Sequence, residues 1–126
     1  MKGPKMAGKR FVVELGTGVD LHGNDVTKAA CRAVKDAVSR SCLCGIIEVL
    51  DLEQFQGVHV DVLVACPEPD LVDEKAVKAQ LPVGTKSVTT TLGGMCAKGI
   101  CVDTFAKGCD TIIVANAAVT VWVDVN

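Results

Sequence analysis

A chain of 126 residues, of which 49% are hydrophobic and 22% charged, has enough apolar material for the core of one ordinary globular domain. Its formal net charge of -2 excludes a strongly basic surface of the kind that attracts nucleic acid, and three Phe, one Trp and no Tyr provide almost no platform for base stacking. No apolar run approaches the roughly 20 residues of a membrane span, so neither nucleic acid nor a membrane is an expected partner.

The ends and the cysteines indicate the compartment. The opening MKGPKMAGKR lacks the hydrophobic segment of a secretory signal, and we expect residues 1–9 to form a flexible basic tail before a single domain at residues 10–126. Seven cysteines at irregular spacing disfavour a disulfide framework and suit a reducing, cytoplasmic compartment. Cys42 and Cys44 do not have zinc-ribbon spacing, so we expect most of the cysteines to be small buried side chains.

Hydrophobic periodicity predicts the elements in chain order. RFVVEL alternates and predicts a first strand, with Arg10 and Glu14 on one face and the odd-numbered residues on the other. From residue 24 to about residue 41 the period becomes 3.6, which predicts an amphipathic helix whose Ala-rich and Val-rich stripe packs closely on a sheet. GIIEVLDL at 45–52 and GVHVDVLVAC at 57–66 are predicted to pair as a β-hairpin.

The second half of the chain continues the pattern. LVDEKAVKAQL predicts a shorter helix, and GTKSVTTTL predicts a Thr-rich strand. Residues 93–108 are rich in glycine and predict either a loop or a short hairpin arm around residues 100–105. Residues 110–125 predict one long strand, or two strands that meet near Asn116.

The order β-α-β-β-α-β-β predicts an α+β fold in which two helices pack on one face of a mainly antiparallel sheet. The other sheet face would present Glu14, His59, Asp61, several Thr and a series of Val. Such a face is too apolar for water and too polar for an ordinary core. We therefore expect a homo-oligomer to bury it, in the form of a ring such as a trimer, with sites between the subunits.

The segment LGTGVDLHGNDVTKAA, residues 15–30, concentrates polar residues between the first strand and the first helix. Gly16 and Gly18 begin a G-x-G pattern, but Leu occupies the third glycine position of a dinucleotide fingerprint. A metal site would use Asp20, His22 and Asp25, yet the chain has neither an HxH nor an HxxxH pair. We expect no metal, and the sequence specifies no cofactor.

Two interpretations of this corner remain open. In the functional one, His22 or Asp25 acts as an acid or base, Lys28 is an electrostatic anchor in the first helical turn, and Glu14 is a further acid or base at the oligomeric interface. The residues that would hold a small anion are Gly16, Gly18, Asp20, Gly23, Thr27 and Arg32. In the structural interpretation, the same residues form a turn, cap a helix and make exposed ion pairs.

Other candidate groups lie outside the corner. His59 and Asp61 share one strand face but stand about 7 Å apart, too far for a direct bond without a third group. Cys96 and Lys98 lie in a glycine-rich segment that we interpret as a loop rather than as the site of a thiol nucleophile.

The corner motif D-x-H-G-x-D-x-T-K-A-A, followed downstream by VANAAVTVWV, resembles a widespread family of small conserved proteins without an assigned activity, over residues 10 to about 124. That resemblance implies an α+β domain. The topology is also similar to one repeat of the cyanuric acid hydrolase and barbiturase group, which implies Lys28 as the Lys of a Ser-Lys dyad. The expected partner segment, residues 94–99, contains no Ser.

A similarity to small trimeric enamine deaminase-like proteins implies an Arg on a late strand, but no Arg follows Arg40. The function we expect is therefore a small-molecule enzyme, with a hydrolase among the options, that acts on a small anionic or amide-bearing metabolite at a subunit interface. The alternatives are a non-catalytic module that binds a small anion or regulates, and a purely structural homo-oligomer.

Overall fold

The computed structural model describes residues 8–100 and 110–125. Short 3-10 turns lie at Glu53–Phe55 and Pro69–Leu71. The strands and helices, in chain order, are β1 (Lys9–Asp20), α1 (Val26–Val38), α2 (Cys44–Glu48), β2 (Val58–Cys66), α3 (Glu74–Lys78), β3 (Thr85–Leu92), β4 (Met95–Lys98) and β5 (Thr111–Val123). Residues 1–7 of the predicted tail lie outside the described residues, and Lys9 already belongs to β1.

One mixed sheet carries the fold, with the strand order β1-β5-β2-β3. Strand β5 runs antiparallel to β1 and β2, and β4 pairs with its first residues. Strands β2 and β3 are parallel, because the connection through α3 returns the chain to the same end of the sheet. The α+β class and the mainly antiparallel sheet are as predicted.

Helix α1 confirms the predicted amphipathic helix and packs closely on β1. Its buried residues are Val26, Ala29, Ala30, Ala33, Val34 and Ala37. A Cβ atom on Gly16 would lie 2.2 Å from the Ala33 carbonyl oxygen, and one on Gly18 would lie 2.1 Å from the Ala29 carbonyl oxygen. The two glycines therefore let the helix backbone approach the strand backbone, which any side chain would prevent.

The predicted strand at residues 45–52 is wrong. Residues Cys44–Glu48 form α2, Ile46 is fully buried, and Asp51 has a positive φ of 56° in the turn that follows. The predicted hairpin is therefore absent, and β2 pairs with β5 and β3 instead. A run of four or five apolar residues fits one buried helical turn as well as a strand, so its periodicity does not distinguish them.

The later predictions are largely confirmed. The helix predicted in LVDEKAVKAQL is α3, with Asp73 as its N-cap. Strand β3 covers the Thr-rich run, and β5 continues through Asn116 without a break. Residues 95–98, expected in a loop or hairpin arm, form β4. The part of the predicted arm from residue 101 onward lies outside the described residues.

The expectation that most cysteines are buried is wrong for the described part of the chain. Cys66 is buried and Cys31 is half-buried, and burial raises the pKa of both thiols. Cys42, Cys44 and Cys96 are exposed. Within the described ranges, no helix has the length and apolar content needed to cross a membrane.

A β-bulge in β1 changes which side chains share a face. Arg10 pairs with Trp122 and Val12 pairs with Val121, so Phe11 is an extra residue on β1. Arg10 and Glu14 consequently lie on opposite faces of the sheet, which corrects the predicted alternation. Glu14 faces the helices and is 8% exposed.

Candidate functional site

The corner between β1 and α1 is organised by the buried carboxylate of Asp20. Its Oδ2 accepts hydrogen bonds from the backbone amides of Gly23, at 3.1 Å, and Asp25, at 2.9 Å. The Arg32 guanidinium donates to the Val19 carbonyl at 2.7 Å and lies 3.8 Å from Oδ1 of Asp20. Asp20 is thus engaged in holding the turn, and Arg32 ties α1 to the edge of the sheet.

The first turn of α1 is also stabilised by its own side chains. Oδ1 of Asp25 accepts the amide of Lys28 at 3.0 Å, which makes Asp25 the N-cap. The Thr27 hydroxyl accepts the amide of Asp73 at 2.9 Å and donates to the Leu71 carbonyl at 3.4 Å. Thr27 therefore joins the start of α1 to the start of α3.

Two further corner residues present side chains at the surface. The Lys28 side chain is exposed and His22 is half-buried. The structure thus gathers Asp20, Gly23, Asp25 and Arg32 around one turn, with Lys28 and His22 at its rim.

The other predicted site residues lie away from this turn. Gly16 and Gly18 are covered by the backbone of α1. Glu14 is six residues from Asp20 along β1, or about 20 Å, and does not reach the corner. Its Oε2 is buried and has no hydrogen-bond partner among the described residues, and burial raises the pKa of the carboxyl group. In the described part of the chain, no three His, Cys, Asp or Glu side chains are grouped so that they could hold a metal ion.

The sheet face opposite α1 is called the open face here, because the described helices bury their apolar residues against the other face. Strand register assigns the side chains of each strand to it. They are Arg10, Val13, Leu15, Thr17 and Val19 of β1; Ile112, Val114, Asn116, Ala118, Thr120 and Trp122 of β5; His59, Asp61, Leu63 and Ala65 of β2; and Thr85, Ser87, Thr89 and Thr91 of β3.

Polar and charged groups are concentrated at one end of the open face. His59 Nε2 lies 2.9 Å from Oδ2 of Asp124, just after β5. On the next row of the sheet, the Ser87 hydroxyl donates to Oδ1 of Asp61 at 2.9 Å, and Asp61 is only 7% exposed. We call the group of Arg10, His59, Asp61, Ser87, Trp122 and Asp124 the polar end.

Sequence reasoning identified His59 and Asp61 but missed Asp124 and Ser87. Asp124 bonds His59 and Ser87 bonds Asp61, and each lies on or just after a neighbouring strand. Asp124 is 65 residues from His59, and Ser87 is 26 residues from Asp61. Only the strand register brings them together, and a single sequence does not specify that register.

Most of the other open-face side chains on β1, β5 and β2 are apolar, whereas those on β3 are Thr. Leu15 is 73% exposed and Val13 is also exposed, and they pair with Ala118 and Thr120 on β5. Leu63 continues this surface onto β2 beside Ala118. An apolar surface therefore adjoins a polar and charged one on the same sheet face.

Comparisons with known proteins place this architecture in a family. The chain is similar to an FtsZ-like protein of unknown function from Nostoc punctiforme, whose crystal structure is known. The two sequences are 39% identical, the structures superpose with a TM-score of 0.85, and the match covers 94% of this chain and 98% of that chain. No curated protein matches the chain. The sequence model of the Lin0512 family of conserved hypothetical proteins matches residues 10–121, which confirms the predicted resemblance to a small conserved family. The chain belongs to the Lin0512 family.

Proposed function

We propose that this chain is a subunit of a homo-oligomeric enzyme that acts on a small anionic or amide-bearing metabolite by acid-base catalysis at the polar end of the open face. One observation carries the proposal. The imidazole of His59 is paired with Asp124, next to the buried carboxylate of Asp61, on a sheet face that none of the described helices covers.

The His59 pair has the chemistry of a general base. When Nε2 donates its proton to Asp124, the lone pair resides on Nδ1, which then accepts a proton from water or from a substrate hydroxyl. The carboxylate orients the ring and stabilises the imidazolium that forms. Water activated in this way attacks an amide or ester carbonyl, so hydrolysis is the reaction class that this pair supports best.

The apolar part of the open face supports assembly with a second copy of the chain. The whole open face, with four strands about 4.8 Å apart and eight residues of about 3.3 Å each, has a projected area of roughly 500 Å². Its apolar part lies on β1, β5 and β2. Side-chain relief makes the accessible area larger, close to the roughly 800 Å² per partner of a standard interface. Monomers rarely leave such a surface in water.

The charges of the open face also fit a second copy. Arg10 and His59 can be positive, Asp61 and Asp124 are acidic, and all four lie at one end. A copy turned end to end would place its apolar surface on this one without bringing like charges together. The polar ends would then line clefts at the rim of the contact, where a small molecule could bind.

Two matched substitutions test the assembly. We expect Leu15→Glu to convert the oligomer to monomers in size-exclusion chromatography with light scattering, because it places a charge in the centre of the contact. Val49, at the end of α2, is 75% exposed against 73% for Leu15, and we expect Val49→Glu to leave the assembly intact. A monomeric unsubstituted chain, or equal effects of both variants, would contradict the proposed assembly.

The chain has two histidines, one in each candidate site, and the same substitution at both separates them. The assay follows a defined pool of small carboxylic acids and primary amides by NMR during incubation with the protein. We expect His59→Gln to lower the rate of consumption at least 100-fold, as loss of a general base does, and His22→Gln to leave it within a few-fold. The reverse result would assign the chemistry to the corner.

The alternative function is a module that holds a small anion without converting it, and the corner favours this function. Lys28 is exposed in the first turn of α1, where the helix N-terminus adds partial positive charge. A pool member that raises the melting temperature, loses this effect with Lys28→Gln and is never consumed would support that module.

A further inference from the structure

We infer that the polar end binds a planar carboxylate, with its ring against Trp122 and its carboxylate on Arg10. This inference rests on the site proposed above and names its ligand class. Arg10 and His59 both pair with Trp122, from β1 on one side and from β2 on the other. Arg10, Trp122 and His59 therefore form one row across three strands.

The dimensions of this row suit a ligand the size of one aromatic ring. Strands lie about 4.8 Å apart, so Arg10 and His59 are about 10 Å apart across the sheet, with Trp122 midway. A carboxylate bound to Arg10 places an attached planar ring over Trp122, and its far edge reaches toward His59. The row therefore gives a reason for the position of the chain's single Trp.

The β-bulge at Phe11 is the feature that brings Arg10 into this row. It puts Arg10 on the same sheet face as His59, whereas Glu14 and Val12 of the same strand face the helices. Bulges next to functional sites often redirect a side chain in this way. Without the extra residue, the position now held by Arg10 would face the helix layer.

Among the charged groups of the polar end, Arg10 is the one suited to bind the carboxylate of the ligand. Arg10 is exposed and makes no ion pair with the described residues, whereas Asp124 is paired with His59 and Asp61 accepts a hydrogen bond from Ser87. From strand spacing, the Cα atoms of Asp124 and Asp61 lie about 8 Å and about 12 Å from that of Arg10. A guanidinium binds a carboxylate through two parallel hydrogen bonds and also stacks on aromatic rings.

Fluorescence of the full chain tests the ligand class, since the only Trp lies in the proposed site. With excitation at 295 nm, we expect benzoate to change the Trp122 emission along a saturable curve. Cyclohexanecarboxylate tests planarity and benzamide tests charge, and we expect each to bind at least ten-fold more weakly. N-acetyltryptophanamide titrated in parallel corrects for collisional quenching.

Two neighbouring substitutions test the role of Arg10. We expect Arg10→Gln to weaken benzoate binding at least ten-fold and to remove the preference for benzoate over benzamide. Lys9→Gln removes the same charge one residue away, but Lys9 pairs with Val123 on the helix-facing register, so benzoate binding should not change. Equal effects of the two variants, equal binding of benzoate and benzamide, or no saturable response would each overturn the inference.

The ligand class and the proposed reaction fail separately. His59→Gln should abolish consumption of the metabolite pool while benzoate still binds. If benzoate binds as expected and no pool member is ever consumed, the enzyme proposal fails and the ligand class stands. If the pool is consumed and benzoate gives no saturable response, the ligand class fails and the enzyme proposal stands.

Discussion

Replacing Gly18 with Ala tests the closest contact in the fold, between β1 and α1. The added Cβ would lie 2.1 Å from the Ala29 carbonyl oxygen and 2.2 Å from the Ala33 amide nitrogen. Contacts of Cβ atoms below 3.0 Å essentially do not occur, so α1 must move away from β1 by at least the difference, 0.9 Å. Both obstacles are backbone atoms and cannot rotate aside.

Gly18→Ala should lower the free energy of unfolding by about 3 kcal/mol, the upper end of the range for overpacking. For a domain of this size, each kcal/mol lowers the melting temperature by about 4 °C, so Gly18→Ala should melt about 12 °C lower. Urea titration and thermal melts followed by circular dichroism measure both quantities. The protein concentration must be matched, because dissociation of an oligomer also lowers the apparent stability.

Gly45→Ala is the matched control. Its Cβ would lie 3.1 Å from the end of the Phe11 ring, a side chain that can move, and it occupies a helical position where Ala is favoured over Gly by about 1 kcal/mol. We expect the control to be as stable as the original chain or more stable. If Gly18→Ala remains within about 0.5 kcal/mol of the original chain, α1 does not lie on β1 as described.

Three further substitutions follow from the side chains of the first two elements. Asp20→Ala should lower the free energy of unfolding by about 2 kcal/mol, since the amides of Gly23 and Asp25 lose a charged acceptor; no change would show that water replaces it. Asp25→Ala should lower the free energy of unfolding by about 1 kcal/mol, because the backbone amide of Lys28 loses its N-cap acceptor. The same urea titration measures this change, and an unchanged free energy would refute the cap. Burial raises the pKa of Glu14 above its ordinary 4.5, so the stability present below that value is lost as pH rises through the folded-state pKa. Glu14→Gln should lack this loss, and parallel pH profiles of the two proteins would contradict the assignment.

Much of the fold is predictable because its long elements have a clear period. The 3.6-residue repeat of α1 and the strict alternation of β2 are strong signals, since each places one face in a core. The segment at 45–52 has adjacent pairs of apolar residues, so it does not alternate strictly. Its assignment as a helix depends on the burial of Ile46 in the core, which is a tertiary effect.

The candidate site was harder to predict than the fold, for two physical reasons. A single extra residue at Phe11 places Arg10 on the face opposite to Val12 and Glu14, and nothing in the pattern RFVVEL marks it. The partners of His59 and Asp61 come from other strands, so they depend on a register that a single sequence does not determine. The corner motif was conspicuous because its polar residues are consecutive, yet most of them bond to one another's backbone.

The central position of β5 has a consequence for the kinetics of folding. Strands β1 and β2 do not pair with each other; each pairs with β5, which follows them by roughly 100 and roughly 60 residues. Apart from the pairing of β4 with β5, antiparallel pairing in the sheet is not between consecutive strands, so joining β1 and β2 to β5 requires the closure of long loops. We therefore expect refolding on the slow, millisecond-to-second scale of folds rich in long-range contacts, with the strands on both sides of β5 vulnerable to aggregation until it docks.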